Sequence, residues 1–239
     1  MTYADVVMGA DYDLAATARA IAEPTRAAML LRLMDRQSHT ARALAEAAGI
    51  APSTASTHLH HLVNAGLVKA TIVGRRRLHV IASPGVATAI EAIAAISPML
   101  PAESLRDART GSQLQTARVC YSHLGGWLAV AITRELQASG VVDNLRTNGH
   151  AAVKTLDHPL LTHLHITNLA DLTGPLIGEC QDWTEGEVHL AGRLGAALLS
   201  ATLEQNWLRR RPRDRALNVT DTGVDHLTRL GLWPAATTH

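Results

Sequence analysis

Four residues in the second half of the chain carry side chains able to bind a soft ion or exchange electrons. They are Cys120 and Cys180, the two cysteines of 239 residues, with His123 and His189. Two thiolates and two imidazoles suit zinc or another thiophilic ion in a tetrahedral site. Two thiols alone suit a reversible disulfide or persulfide sensor, and a thiol beside an imidazole is the pairing of a cysteine nucleophile with its base. Cys120 and His123 are three apart, which places them on one face of a helix and suits a shared ligand. A Cys-x-x-His with a second cysteine 60 residues on matches no tight zinc motif. Four readings therefore stay open: unreactive core cysteines, a thiol switch, a metal or metalloid site, and an organic ligand held by Trp127, Trp183, Tyr121 and the histidines.

What would bring these residues together is an internal repeat. CYSHLGGWLAVAITRELQASGVV, from residue 120, aligns with CQDWTEGEVHLAGRLGAALLSATLEQNWL, from residue 180, through Cys, then His-Leu-x-Gly-x-Leu, then an Ala-rich helix. The patterns LRTNGHAAV and LNVTDTGVDHL follow the two copies. The reading is a degenerate duplication, about residues 114–165 and 174–232. Packed about a pseudo-two-fold, the copies would bring Cys120 to Cys180 with His123 and His189 nearby. Most of His150, His158, His163 and His165 read as solvated or structural. WLRRRPRDRALNV, residues 207–219, has the look of a second basic hairpin. A solvated loop is the preferred reading there, with phosphate contacts or a degenerate wing as alternatives.

The first half has a different composition. Residues 36–80 hold Arg36, Arg42, Lys69, Arg75, Arg76 and Arg77 against Glu46, a local +5 within a chain of formal charge +1. Leu14, Ala18 and Ile21 recur at helical spacing, and Pro24 restarts the chain in a first helical turn. The helix that follows, about 24–35, turns Met29, Leu30, Leu33 and Met34 inward. Thr40 caps a third helix that ends at Gly49. A fourth begins near Pro52, with Ala55, Leu59 and Leu62 on its inner face and Ser53, Thr54, Ser56, Thr57 and His60 on its outer side. Hydroxyl residues weaken helices, but short polar side chains reach base edges and phosphates at low desolvation cost. That side is read as a recognition face, with His58 and His61 left to packing. LVKATIV and LHVIAS flank the basic turn GRRR, giving a two-stranded wing whose Arg75, Arg76 and Arg77 neutralise phosphates.

EPTRAAMLLRLM, LAEAAGIAPSTASTHLHHLVNAGLV and VGRRRLHVI, in that order, closely resemble the winged-helix domain of ArsR-type transcriptional repressors over about residues 14–97. The resemblance implies a homodimer in which the first and last helices of the domain, about 14–22 and 84–97, pack across the two-fold axis. It also implies a near-palindromic double-stranded DNA operator, and repression relieved by an effector. The usual ArsR metal sites do not carry over. DRQSHTARAL has no Cys-x-Cys, and SPGVATAIEAIAAISP holds one Glu and no His. The run Cys-x-Asp-Trp-Thr-Glu with a later His-Leu-Ala-Gly resembles the tails of other ArsR-like regulators, without naming a ligand.

With aromatics at 3% and no Phe, the cores must be built from small aliphatic side chains in closely packed helices. The expectation is a mainly α protein: a winged helix-turn-helix domain at 1–98 that binds DNA and dimerises, then a mostly helical effector or sensor domain at 99–239. No cationic leader, no apolar run of membrane-spanning length and only two cysteines point to a cytoplasmic protein without a membrane partner. The expected function is a homodimeric repressor relieved by a small-molecule or metal effector, or by thiol modification. Its cofactor is unknown, and a thiophilic ion at Cys120 and Cys180 is the one specific candidate. The alternatives are a constitutive regulator whose tail recruits a partner, and a Cys/His enzyme joined to a DNA-binding domain.

Overall fold

The computed structural model describes residues 12–99, 101, 104–145 and 151–234. The chain falls into two compact units. The first runs through Leu33 and from Gln37 to Val86, and the second takes Met34–Arg36 and continues from Ala87.

The first unit opens with α1 (Leu14–Ile21), held by Asp13, whose carboxylate accepts the Ala16 N–H. Pro24 starts α2 (Pro24–Leu33), which buries Met29, Leu30 and Leu33; Met34, just beyond it, is buried too. β1 (His39–Thr40) leads into α3 (Ala41–Ala48), where Thr40 accepts the Ala43 N–H and Gly49, at φ 68°, ends the helix. α4 (Pro52–Asn64) buries Ala55, Leu59 and Leu62. β2 (Val68–Val73) and β3 (Arg76–Ile81) form an antiparallel hairpin, Val73 opposite Arg76 across the turn Gly74-Arg75. β1 adds to the free edge of β3, giving the order β1-β3-β2 with His39 opposite His79. This short edge strand was not anticipated in the sequence. The helix-turn-helix and its wing are the architecture expected from the spacing of the motifs.

α5 (Pro84–Ile96) lies mostly in the second unit. Next come α6 (Leu105–Thr116), β4 (Arg118–Cys120), β5 (His123–Gly125), α7 (Trp127–Ala138), α8 (Pro159–His163), β6 (Gly178–Gln181), β7 (Val188–Ala191), α9 (Gly192–Glu204), β8 (Leu208–Arg210), β9 (Leu217–Val219) and α10 (Asp221–Arg229). The Ala- and Leu-rich segments are the helices, and short two-stranded antiparallel ribbons precede α7, α9 and α10, so this unit is mixed in character. The repeated unit is a hairpin followed by a helix: β4-β5-α7 and β6-β7-α9. Each helix packs on the other copy's hairpin as well as its own. Leu128, Ile132 and Leu136 of α7 and Leu194 and Leu198 of α9 share one apolar core with Val119, Leu124, Leu190 and Trp207. Residues 146–150, within the LRTNGHAAV pattern and including His150, lie outside the described residues.

Candidate functional site

In the first unit, Ser53, Thr54, Ser56, Thr57 and His60 are all exposed on α4, opposite its buried Ala55-Leu59-Leu62 stripe. Ser56 Oγ donates back to the Pro52 carbonyl at 3.1 Å, and the His60 Nε2 and Asn64 Nδ2 atoms lie 3.0 Å apart. His58 is half-buried, 3.4 Å from Glu23, whereas His61, which was assigned to packing, is exposed. Arg75 occupies the wing turn, and Arg76 and Arg77 begin the return strand. All three are exposed, as are Ile72 and Val73 beside them. The wing is positioned by β3, whose inner residue His79 is buried with Nδ1 3.2 Å from the His39 carbonyl oxygen. Burial, with a smaller contribution from the Arg77 charge, pushes the His79 imidazole below its ordinary value against the pull of that carbonyl.

In the second unit, Cys120, His123, Cys180 and His189 converge, with one ligating atom of each lying within 4.8 Å of all the others. The two Sγ atoms are 3.6 Å apart and both cysteines are free thiols. The expected helical pairing of Cys120 with His123 is corrected. They sit opposite each other on β4 and β5, across the turn Tyr121-Ser122, and Cys180 and His189 are likewise opposite on β6 and β7. Directly opposed strand residues project from the same face of a ribbon, so each hairpin presents one thiol and one imidazole. A three-residue spacing fits a helical turn or a tight hairpin equally well, and Tyr121, at φ 54°, takes the left-handed conformation that closes the hairpin. Gly195 of α9 lets the two copies approach: a Cβ there would stand 2.3 Å from the Leu190 carbonyl oxygen and 3.0 Å from His123 Cβ.

A shell that sequence reasoning missed surrounds the cluster. Asp182 is fully buried, and its Oδ2 accepts from Arg118 Nη2 at 2.8 Å and from the Gly126 N–H at 2.7 Å, and lies 3.1 Å from His189 Nδ1. Its Oδ1 accepts from the Thr184 N–H and hydroxyl. Burial alone would raise the Asp182 carboxyl, but His189, the Arg118 guanidinium, Thr184 and Gly126 together hold it far below the ordinary carboxylate range. The reciprocal contact raises His189 despite its burial. The Cys120 thiol is pushed up to about 12, first by its contact with Cys180 and then by burial. Both ring nitrogens of His123 and Nε2 of His189 are buried and close no well-formed hydrogen bond, and the Cys120 thiol is the polar group that interacts with both imidazoles.

The aromatic residues considered as pocket walls have other contacts. Arg118 lies over the Trp183 ring at 4.4 Å, and Trp127 meets Trp233 edge-on at 5.6 Å. An open groove of about 410 Å³ is instead lined by Lys154, Thr155, Asn168, Leu176 and Arg193, among others. His158 accepts the Leu160 N–H at the start of α8, a structural role. Residues 207–219 do form a hairpin, but its basic residues are partly spent internally. Arg211 pairs with Asp214 at 3.1 Å, and buried Arg215 pairs with Glu91 of α5 at 2.7 Å. The faint sequence signal for the missed shell was the Cys-x-Asp run at 180–182.

Residues 21–70 match a helix-turn-helix domain family. Beyond that domain, the chain is 32% identical over 203 residues to YdfF, an uncharacterised HTH-type transcriptional regulator of Bacillus subtilis, an alignment covering 85% of this chain and 90% of the relative. The chain belongs to the HTH-type transcriptional regulators. It is a DNA-binding transcriptional regulator, and the similarity reaches well into the unit that carries the thiol–imidazole cluster. Among solved structures, the regulator is similar over 38% of its length to the cadmium sensor CmtR of Mycobacterium tuberculosis (32% identity, 94% of that chain, TM-score 0.32). It is also similar over 36% to the homodimeric winged-helix domain of Mb0332 from Mycobacterium bovis, a possible ArsR-family regulator (29% identity, 86% of that chain, TM-score 0.31). Among the described residues, no helix is long and apolar enough to cross a membrane.

Proposed function

We propose that this regulator is a homodimeric cytoplasmic repressor whose residues 1–98 bind operator DNA and dimerise, and whose residues 99–239 receive the signal that relieves repression. The observation that carries the DNA-contact assignment is the continuous exposed hydroxyl face of α4 beside a wing bearing three exposed arginines. Ser53, Thr54, Ser56, Thr57 and His60 read base edges and adjacent phosphates. Arg75, Arg76 and Arg77 neutralise the backbone. Dimerisation is supported by α1, which buries no residue within the protomer, and by α5, which leaves Ile93 and Ile96 exposed, the latter at 85%. Apolar helices left uncovered in one protomer are what a two-fold partner would cover.

The second unit is read as a sensor without catalytic activity of its own. A thiol pushed up to about 12 is the opposite of an activated nucleophile. The regulator reading is tested by fluorescence anisotropy on the DNA upstream of the protein's own gene and on shuffled DNA, at fixed salt. Arg76→Ala should weaken binding to both sequences, while Ser56→Ala or Thr57→Ala should narrow the gap between them. Unchanged binding in all three variants overturns the interface assignment.

A further inference from the structure

We propose that Cys120, His123, Cys180 and His189 bind one thiophilic divalent cation of the zinc type in a closed four-ligand site between the two hairpins, and that its occupancy is the signal received by the second unit. The signalling role rests on the regulator reading above; cation binding does not.

The geometry favours a cation over a disulfide. Tetrahedral zinc with thiolates at about 2.3 Å sets the sulfurs roughly 3.8 Å apart, and the two Sγ atoms are separated by 3.6 Å. A disulfide would require closure to about 2.05 Å and would leave the imidazoles of His123 and His189 buried beside it with nothing to bind. Those nitrogens are the stronger evidence. Both on His123 and the Nε2 of His189 are buried, close no well-formed hydrogen bond, and have the Cys120 thiol as the polar group that interacts with both rings. Two sulfurs and two imidazole nitrogens make a borderline-soft set, suited to zinc, cadmium or cobalt and unsuited to magnesium or calcium.

The surroundings are those of a built site. Asp182 Oδ2 sits 3.1 Å from His189 Nδ1, which orients the ring and leaves Nε2 for the cation, and Asp182 is itself fixed by Arg118, Gly126 and Thr184. Carboxylate partners of this kind commonly orient and strengthen metal-ligating histidines. The charges also balance. Each thiol gives its proton to solvent and its sulfur lone pair to the ion, and any proton on His189 Nε2 leaves to solvent as well while Nδ1 keeps its own toward Asp182. Two thiolates thus neutralise the 2+ charge, no electrons change hands, and Asp182 stays paired with Arg118. Three of the four ligands are buried and Cys180 is half-buried, and with four protein ligands no coordination position is left for water, which suits holding an ion rather than turning over a substrate at it. The cluster also borders α5. Buried Glu91 on that helix is paired with Arg215 at 2.7 Å and shares a hydrogen bond with the Cys120 thiol. Removal of the Cys120 proton by an incoming cation therefore alters the environment of a buried residue on a helix assigned above to the dimer.

The experiment uses the full-length protein, reduced, stripped with a chelator and titrated with Co²⁺. The expected result is one ion per chain, with near-ultraviolet thiolate charge-transfer bands and intense visible bands of tetrahedral cobalt, bleached by Zn²⁺. Cys120→Ser and Cys180→Ser should lose most of the charge-transfer intensity, and Asp182→Asn should weaken binding roughly 10- to 100-fold at unchanged stoichiometry. Protection of the wild-type thiols from alkylation by stoichiometric Zn²⁺ gives a second readout that needs no variant to fold. In the same preparation, Zn²⁺ should change affinity for the upstream DNA about 5- to 150-fold. Absence of the bands and of thiol protection, in protein that still binds its DNA, overturns the cation site and leaves the regulator reading standing. If mild peroxide then closes a Cys120–Cys180 disulfide, the cluster is a thiol switch. Bands and protection with DNA affinity unchanged by Zn²⁺ overturn the signalling role, while bands and protection with no DNA binding in either state overturn the regulator reading alone.

Discussion

Replacing Arg118 with Met removes a charge that has no exposure to solvent and leaves Asp182, equally buried, without its ionic partner. Loss of one member of a buried pair costs about 3–5 kcal/mol because the survivor is left uncompensated. The lower end is expected here, since Asp182 retains hydrogen bonds from Gly126 and Thr184 and its contact with His189. Met also gives up the guanidinium's place over the Trp183 ring and its bond to the Leu114 carbonyl. All four tryptophans, 127, 183, 207 and 233, fall in the second unit, so urea unfolding followed by tryptophan emission reports that unit and not the winged helix. With a slope of about 2 kcal/mol/M, 3 kcal/mol lowers the midpoint by about 1.5 M. Asp182→Asn should cost a similar amount, since it strands the equally buried Arg118 charge, and the double variant should cost less than the two single losses added, because the pair is coupled. A midpoint shift in Arg118→Met corresponding to less than about 1 kcal/mol would refute the account of Asp182 as a charge dependent on Arg118.

Three further outcomes follow from the geometry. Gly195→Ala inserts a methyl 2.3 Å from the Leu190 carbonyl oxygen; it should destabilise the second unit by about 1–3 kcal/mol, read by the same tryptophan emission, and a neutral result would mean that α9 and β7 are not so closely apposed. His79 is buried with its imidazole lowered, so the unfolded chain takes up its proton first as pH falls. The contribution of neutral His79 is therefore complete above about pH 6.5 and lost as pH drops through the lower folded value; amide protection factors in β2 and β3 should fall over that range, and His79→Gln should flatten the dependence. Replacing Arg75, Arg76 and Arg77 together by Ala should reduce the slope of log affinity against log salt by up to about 3, which anisotropy over a salt series measures.

The winged helix was readable because its determinants are local. Thr40, Gly49 and Pro52 punctuate helices through their own backbone chemistry, and Ala55, Leu59 and Leu62 show the helical period. β1 escaped notice because two residues, His39 and Thr40, carry no period, and their pairing is with residues 78 and 79. The expected meeting of Cys120, Cys180, His123 and His189 is seen in the structure, but the backbone that carries them differs from the helix expected, since Cys-x-x-His is compatible with either a helix or a hairpin. Arg118 with Asp182 and Glu91 with Arg215 were beyond any local pattern. They lie 64 and 124 residues apart, and nothing in a run of neighbours says which arginine goes inside.

The repeated hairpin sets a limit on how the cluster arose and how firmly it holds together. One copy supplies one thiol and one imidazole, half a coordination sphere, so a solitary copy could complete the set only by meeting another molecule. Carrying both copies in one chain replaces that bimolecular encounter with an intramolecular one. A chain cut between β5 and β6, with both halves kept in solution, would therefore recover the assembled cluster only in proportion to protein concentration. The two hairpins are not equivalent: Asp182 stands beside His189, while among the described residues no carboxylate is paired with His123. The two imidazoles, matched in register, thereby have different neighbours.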